Sequence, residues 1–245
     1  GSEMCIRDSF KPLPDAISQR QVLPKGTPLF AKPVDGISCE FRTCTEVSLY
    51  PLEVKCVSDA HSREASVVRI DLSVLTRQPL NSLGCDQLDF HLGGGNATAQ
   101  TLYLWIAHYL KSVTLYVNGT AYGLNPKDIG FPGFTPQEAL LPYPRNVFDG
   151  YRILQEYFVF PQRFHFFSLT RLGKAWPAIS TDEIRFEFQF SRPMPGDIRL
   201  QTHDLHLFCA PAVNLFSHDA EPIALDGRSL EQRVIPTGQR PDAYE

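Results

Sequence analysis

The chain has 245 residues, of which 43% are hydrophobic and 20% charged, and its formal net charge is −4. This balance gives no indication of a general nucleic-acid or acidic-membrane partner. A chain of this length buries enough surface to form a core without metal or disulfide support. The 17 Phe, 9 Tyr and 20 Pro residues favour many short strands separated by turns over a helical bundle.

Targeting and redox signals are weak in this sequence. It contains neither an apolar run of about 18 residues nor a charged segment followed by an apolar one, so it predicts neither a membrane span nor a signal peptide. The 6 cysteines form no C-x-x-C pair, which favours reduced, apolar roles in the cytosol. Gly1 and Ser2 have the composition of a cloning remnant.

Three segments in the first part of the chain alternate apolar and polar residues, as strands with one solvated face do. The first is C-E-F-R-T-C, residues 39–44. In the second, Leu52, Val54 and Cys56 alternate with charged residues. The third runs over Val67–Leu75. Antiparallel sheets with one buried face are therefore predicted.

A helix is predicted over about residues 97–112, because apolar residues recur there at helical spacing. The glycine-rich residues 93–96 precede it as a turn and cap. The stripe consists of Leu102, Trp105, Ile106, Tyr109, Leu110 and Val113. Beyond it, Asn118-Gly119 predicts a two-residue hairpin turn of type I′.

The fold class predicted from these patterns is mainly β with a few helices, an α+β arrangement of antiparallel, sandwich-like subdomains that each pack one helix. Residues 126–148 are rich in proline and form the predicted connection. The first β-rich subdomain then covers residues 10–125. The second covers residues 149–245, with a short helix at about 149–160 and extended C-terminal segments.

The second helix carries Ile153, Leu154, Tyr157 and Phe158 on one stripe. We expect this stripe to face the core, against an aromatic strand that follows Pro161. A ligand pocket or a partner-binding face is the alternative for the same stripe.

The strongest strand pattern of the second half alternates apolar residues with charged or amide ones. The apolar positions are Ile184, Phe186, Phe188 and Phe190. A partner strand is predicted from residue 198, with a bulge near His203 and Asp204, where the alternation slips by one residue.

Residue types for chemistry are present, but their spacing argues against a site. His203, His206 and Cys209 form an H-x-x-H-x-x-C set that zinc would accept, yet neighbours three apart on a straight strand point to opposite faces. The run His91-Leu-Gly-Gly-Gly95 resembles an oxyanion loop, but the chain has no G-x-S-x-G elbow. We therefore predict no catalytic, cofactor or metal residues and no enzyme.

Four ordered segments resemble the TssF family, also called ImpG or VasA, of type VI secretion baseplate proteins. They are L-P-K-G-T with C-E-F-R-T-C-T-E-V-S-L-Y-P-L-E-V, the run from L-L-P-Y-P to F-P-Q-R-F-H-F-F, C-A-P-A-V-N-L-F-S-H-D-A-E-P-I-A-L-D, and R-V-I-P with R-P-D-A-Y-E. Together they extend over about residues 23–245. Ordered matches of this length are far more specific than a short motif.

The resemblance implies a middle fragment of a structural protein without catalytic residues. Family members assemble with TssG, TssK, TssE and further TssF copies into a cytoplasmic wedge that anchors and triggers the contractile sheath. That wedge docks at the inner face of the bacterial inner membrane, without membrane insertion or nucleic acid.

Partner contacts are predicted in the extended segment after Cys209, by edge pairing or groove filling. The candidate residues are Val213, Asn214, Leu215, Phe216, Glu221, Pro222 and Ile223. A small-molecule or carbohydrate-binding β-module remains the alternative function, with a metal-dependent hydrolase behind it.

Overall fold

The computed structural model describes residues 4–12, 20–30, 40–140, 148–214 and 230–234. Its helices are α1 (Asn96–His108) and α2 (Asp149–Val159). The strands are β1 (Met4–Pro12), β2 (Gln21–Leu23), β3 (Pro28–Phe30), β4 (Glu40–Thr43), β5 (Val47–Leu49), β6 (Leu52–His61), β7 (Ser66–Val74), β8 (Leu88–Leu92), β9 (Leu110–Val117), β10 (Thr120–Leu124), β11 (Ile129–Gly130), β12 (Phe166–Leu169), β13 (Glu183–Phe190), β14 (Leu205–Leu207), β15 (Cys209–Asn214) and β16 (Leu230–Val234).

Three larger sheets organise these strands. Their orders are β10-β9-β13-β7-β6, β11-β12-β8-β14 and β16-β1-β15-β4-β3, and β2 pairs separately with β5. The pairings are antiparallel except for β1 with β16. The predicted fold class, mainly β with antiparallel sheets and a few helices, is confirmed.

Aromatic side chains join the first two sheets face to face. Phe90 of β8 stacks on Phe167 of β12 with ring centroids 5.1 Å apart. Phe186 of β13 meets the edge of Phe90 at 6.4 Å, and Phe188 meets Phe167 at 5.7 Å. The centre of the core is therefore an aromatic layer between two sheets, as in a β-sandwich.

Strand β13 confirms the alternation seen in the sequence, and β7 does so except at Asp71, which is buried at 9% exposure. Ile184, Phe186, Phe188 and Phe190 are all buried, whereas the residues between them are exposed or half-buried. Strand β6 differs at Cys56, which is exposed. The pairing of β6 with β7 shifts register between Val54 and Cys56, and this bulge turns the thiol away from the face that the alternation predicted.

The predicted hairpin and first helix are both present. Asn118 and Gly119 have φ angles of 48° and 79°, as a type I′ turn between β9 and β10 requires. Helix α1 ends at His108, and its N-cap is Gly95, within the predicted turn and cap of residues 93–96. The prediction extended this helix too far, because the chain enters β9 at Leu110.

The sequence prediction for the segment before β14 is wrong. Residues 198–200 form no strand, and Thr202–Asp204 is a 3₁₀ turn rather than a bulge. In this turn the Gln201 backbone N–H donates to Asp204 Oδ2 at 2.7 Å. The closed turn accounts for the slip in alternation before Leu205.

The predicted division at residues 126–148 stays a prediction. Strand β13 lies between β9 and β7, so elements from both sides of this division share one sheet. Strand β12 likewise lies between β11 and β8. Within the described ranges, no helix is long and apolar enough to span a membrane.

Candidate protein interface

Helix α2 exposes its apolar side chains. The exposed fractions are 79% for Phe148, 68% for Tyr151, 56% for Leu154, 43% for Tyr157, 80% for Phe158 and 59% for Val159. These six residues are called the apolar face of α2 below. Tyr151, Leu154 and Phe158 are three and four residues apart, so they line one side of the helix.

The buried side of α2 carries charges instead. Arg152 and Glu156, one helical turn apart, are 3% and 2% exposed. Arg152 Nη1 donates to Glu156 Oε2 at 3.2 Å. Arg152 Nη2 donates to the backbone carbonyls of Phe134 and Thr135 at 3.3 and 3.2 Å. The buried guanidinium therefore binds the loop over residues 134–140.

Glu156 and Arg163 hold the rest of the same loop. Glu156 Oε1 accepts a hydrogen bond from the Leu140 backbone N–H at 2.8 Å. Arg163, which is 2% exposed, donates to the Glu138 carbonyl and lies 3.9 Å from Glu156 Oε2. Buried charges are retained where polar partners surround them, and here the partners are mostly loop backbone groups.

The local electrostatics reflect this burial. Desolvation lowers the pKa of Arg163 below its usual value, although Glu156 and Glu138 oppose the shift. Burial alone would raise the pKa of Glu138, but hydrogen bonds from the Thr135 hydroxyl and backbone N–H bring it below the ordinary value. The ionised form of Glu138 is thus built into the loop.

The expectation that the stripe of α2 faces the core is wrong. Ile153 is half-buried, whereas Leu154, Tyr157 and Phe158 are exposed. The reason is that the 134–140 loop presents backbone groups to α2, and only polar side chains satisfy them. The aromatic strand expected after Pro161 is present as β12, but it is buried along its whole length, with Phe166 and Phe167 at 6% and 0% exposure, and it pairs with β8 and β11.

The apolar face continues beyond α2. The rings of Tyr157 and Phe164 lie 6.2 Å apart, and those of Phe164 and Phe134 lie 5.2 Å apart. Phe164 is buried, whereas Phe134 is 43% exposed. The buried Phe164 ring therefore links the exposed Tyr157 of α2 to the exposed Phe134 of the loop.

The histidines and the cysteine of the predicted zinc alternative have separate surroundings. The His203 ring is exposed and lies 3.5 Å from Asp204 Oδ1. Cys209 is buried, and its Sγ lies 3.6 Å from the Leu207 carbonyl oxygen. Among the described residues, no group of three His, Cys, Asp or Glu side chains is arranged to hold a metal ion.

The glycine run before α1 packs tightly against the 3₁₀ turn. The Gly93 N–H donates to the Asp204 carbonyl at 2.8 Å. Gly94 has a φ of +79°, and a Cβ there would overlap Asp204 Oδ1. Close packing and a left-handed backbone explain this glycine without an oxyanion role.

A cavity of about 600 Å³ opens beside Arg163. Its lining combines aromatic residues such as Tyr50 with charged ones, including Arg20, Lys25 and Glu46. The small-molecule or carbohydrate-binding alternative stays a prediction.

The predicted partner-binding residues lie at or beyond the end of β15. Val213 is 5% exposed and packs with Cys44 and Leu140. Asn214 is the last residue of β15, and its side chain is outside the described set. The remaining members, Leu215, Phe216, Glu221, Pro222 and Ile223, lie outside the described residues. Partner binding by this segment stays a prediction. For the stripe of α2, the sequence gave a partner-binding face only as the alternative to a place in the core.

Comparison with known proteins places these features in a family. The family model described as "Type VI secretion system, TssF" matches residues 4–245. The type VI secretion system component TssF1 of Pseudomonas aeruginosa is 31% identical over 233 residues, which covers 87% of this chain and 37% of that protein.

The fold also resembles a solved structure. A chain of the type VI secretion TssK-TssF-TssG baseplate subcomplex, determined by cryo-electron microscopy, matches with a TM-score of 0.77 and 24% identity. The match covers 91% of the present chain and 43% of the other. The chain thus spans less than half the length of each of these relatives. Because the family model covers nearly all of its residues, the chain belongs to the TssF family of type VI secretion system proteins.

Proposed function

We propose that the protein containing this chain is a structural subunit of the type VI secretion baseplate. In this role it assembles with TssG and TssK, with TssE, and with further copies of itself. The assembly anchors the contractile sheath and takes part in its triggering. Family membership and the resemblance to a TssK-TssF-TssG subcomplex support this proposal.

The single observation that carries the proposal in this structure is the apolar face of α2. Six apolar side chains, each at least 43% exposed, lie on this short helix and its N-cap residue, Phe148. Contiguous exposed apolar surface marks interaction sites on folded proteins. An assembly subunit needs such a surface, since it must bury it against another subunit.

The role is one of holding and positioning, without catalysis. The α2 charges bind loop backbone and so serve to fix the interface in shape. The proposed location is the cytoplasm, where the baseplate docks at the inner face of the inner membrane.

Co-purification tests the proposal. The full-length protein, tagged and co-expressed with TssG and TssK, should elute with both in one peak during size-exclusion chromatography. Deletion of its gene should abolish sheath assembly and secretion, and the full-length gene should restore both. Separate elution from both subunits, or unchanged secretion after deletion, would contradict the proposal.

A further inference from the structure

The tip of the β9–β10 hairpin has the residues of a self-modification site. Of the asparagines in the chain, Asn118 alone precedes a glycine, and both Asn118 and Gly119 are exposed. The side-chain amide of an asparagine can be attacked by the backbone nitrogen of the next residue, which closes a cyclic imide. Glycine has no side chain to hinder this attack, and among the described residues no atom lies within 4 Å of where a Cβ of Gly119 would be.

The attacking nitrogen is not used by the hairpin. In a two-residue hairpin the cross-strand hydrogen bonds join the flanking residues, which here are Val117 and Thr120. Across the described part of the chain, no backbone carbonyl accepts a hydrogen bond from the Gly119 N–H. This nitrogen can therefore lose its proton and attack without breaking a hydrogen bond of its own.

Two other asparagines lack this arrangement. The residue after Asn81 is Ser82, whose backbone N–H donates to the Pro79 carbonyl at 2.9 Å. The residue after Asn125 is a proline, which has no N–H to lose. Both positions serve as internal controls for the reactivity of Asn118.

A hydroxyl group is already placed at the oxygen that would become negative. Thr181 Oγ1 donates to Asn118 Oδ1 at 3.0 Å. Attack on Cγ converts Oδ1 into an oxyanion, which a fixed donor at this distance stabilises. The same hydroxyl lies 3.1 Å from the Glu183 carbonyl oxygen, so its single proton serves two acceptors in the folded hairpin. The developing anion is the stronger acceptor of the two.

The turn must open for the ring to close, because the imide holds Asn118 in backbone torsions that a type I′ turn does not have. Strand β10 favours such opening. It is the last strand of its sheet, next to β9, and Thr120, Ala121 and Gly123 are exposed. Exposed edges of this kind open locally at a much lower free energy than the whole domain. Solvent reaches the tip through a cavity of about 530 Å³ that Asn118 and Gly119 line.

We propose that Asn118 deamidates spontaneously through attack by the Gly119 nitrogen, with the Thr181 hydroxyl stabilising the oxyanion. The Gly119 nitrogen gives its proton to hydroxide and bonds to Asn118 Cγ. The bond from Cγ to Nδ2 then breaks, and ammonia leaves with a proton taken from water. Water opens the imide at one of its two carbonyls, which gives aspartate or isoaspartate. This reaction does not depend on the proposed function.

The two products affect the hairpin differently. Aspartate leaves the main chain unchanged, and an Asp-Gly pair suits a type I′ turn, so β10 stays paired with β9. Isoaspartate adds a methylene group to the main chain, so the two-residue turn between Val117 and Thr120 is lost. Both products place a new negative charge beside Asp182 and Glu183, which line the same cavity.

Incubation of the full-length protein at mildly alkaline pH tests the inference. Peptide mapping by mass spectrometry follows the replacement of NH by O at each asparagine, and an isoaspartate methyltransferase with a labelled methyl donor detects isoaspartate. Asn118 should deamidate severalfold faster than Asn81 and Asn125. In the separated products, the amides of β10 should exchange hydrogen faster in the isoaspartate form than in the aspartate form.

Substitution of Thr181 distinguishes this site from an ordinary Asn-Gly pair. Thr181→Val keeps the shape of the side chain but removes the donor, so it should slow deamidation of Asn118 severalfold in the folded protein. Thr181→Ser retains a hydroxyl and should react at nearly the unaltered rate. In urea, where the hairpin is unfolded, all three proteins should deamidate at the same rate.

Three results would overturn the inference. The first is an Asn118 that stays unmodified in the folded protein. The second is a folded Thr181→Val variant that deamidates as fast as the unaltered protein, or a difference between the two that persists in urea. The third is an isoaspartate product whose β10 amides are as protected from exchange as those of the aspartate product.

Discussion

The β-sandwich core and helix α2 bury opposite kinds of side chain. In β13, Phe186 and Phe188 are buried between two sheets, and the alternating polar residues face outward. In α2, Arg152 and Glu156 are buried, and the aromatic residues face outward. The difference arises from what lies opposite. A sheet face meets apolar side chains, whereas α2 meets the backbone of a loop.

Among the substitutions that compare the two regions, the largest loss of folding stability is expected at Phe186. This ring is 0% exposed, and its centroid lies 6.4 Å from that of Phe90 and 6.1 Å from that of Trp176. Phe186→Ala should lower the free energy of unfolding by about 3–5 kcal/mol, through lost burial and a residual cavity. Urea denaturation measures this loss. A loss below about 1 kcal/mol would show that the aromatic layer is not the core.

Removal of the buried carboxylate of α2 should cause the second-largest loss of folding stability. Glu156→Ala leaves Arg152 and Arg163 without their shared partner and should cost about 3 kcal/mol. Glu156→Gln keeps an acceptor for the Leu140 N–H and should cost less. Both losses are measured by urea denaturation. Equal and small losses in the two variants would indicate that this charge does not hold the loop.

A backbone position tests the contact between the glycine run and the 3₁₀ turn. Gly94→Ala should cost about 2 kcal/mol, because its φ is +79° and its new Cβ would clash with Asp204. Gly95→Ala is the matched control, since a Cβ there meets nothing within 4 Å. A thermal melt compares the two. Equal melting temperatures would contradict the close approach of Gly94 to Asp204.

Acid should destabilise the fold through two groups. Burial lowers the pKa of His165 below its ordinary value of 6.5, so its neutral form is favoured on folding. This contribution is complete above pH 6.5 and is lost as the pH falls toward the folded pKa. The pKa of Glu138 is also lowered, so the stability that it contributes is lost at still lower pH.

The slope of stability against pH measures the histidine contribution. We expect stability to fall as the pH is lowered from 7 to 5, and His165→Gln to reduce that slope. His203→Gln serves as the control for loss of an exposed imidazole. If His165→Gln leaves the slope unchanged, the pH dependence of stability does not originate from His165.

Local patterns predicted much of the fold, because local geometry determines them. The alternation of β13 and the Asn118-Gly119 turn required only nearest-neighbour rules, and both are present. The start of α2 at Asp149 was also predicted, and its end at Val159 was predicted to within one residue. These features do not depend on which distant segment lies opposite.

The orientation of α2 could not be predicted in the same way. Its helical spacing defines an apolar side and a charged side but not which of them meets the protein. The available signal was the pair Arg152 and Glu156 on the side opposite the aromatic stripe, together with Arg163 just beyond the helix. Those charges are buried because of hydrogen bonds to a loop that precedes α2 by about ten residues, a tertiary relation.

The stability of Leu154→Glu tests the central claim most directly. If the apolar face of α2 is a free surface of the folded chain, this variant should unfold within about 0.5 kcal/mol of the unaltered protein in urea, as should Leu104→Glu on α1, where Leu104 is also exposed. If Leu154 instead faces the core, the substitution would bury an unpaired carboxylate. A loss of about 3 kcal/mol or more would then contradict the claim.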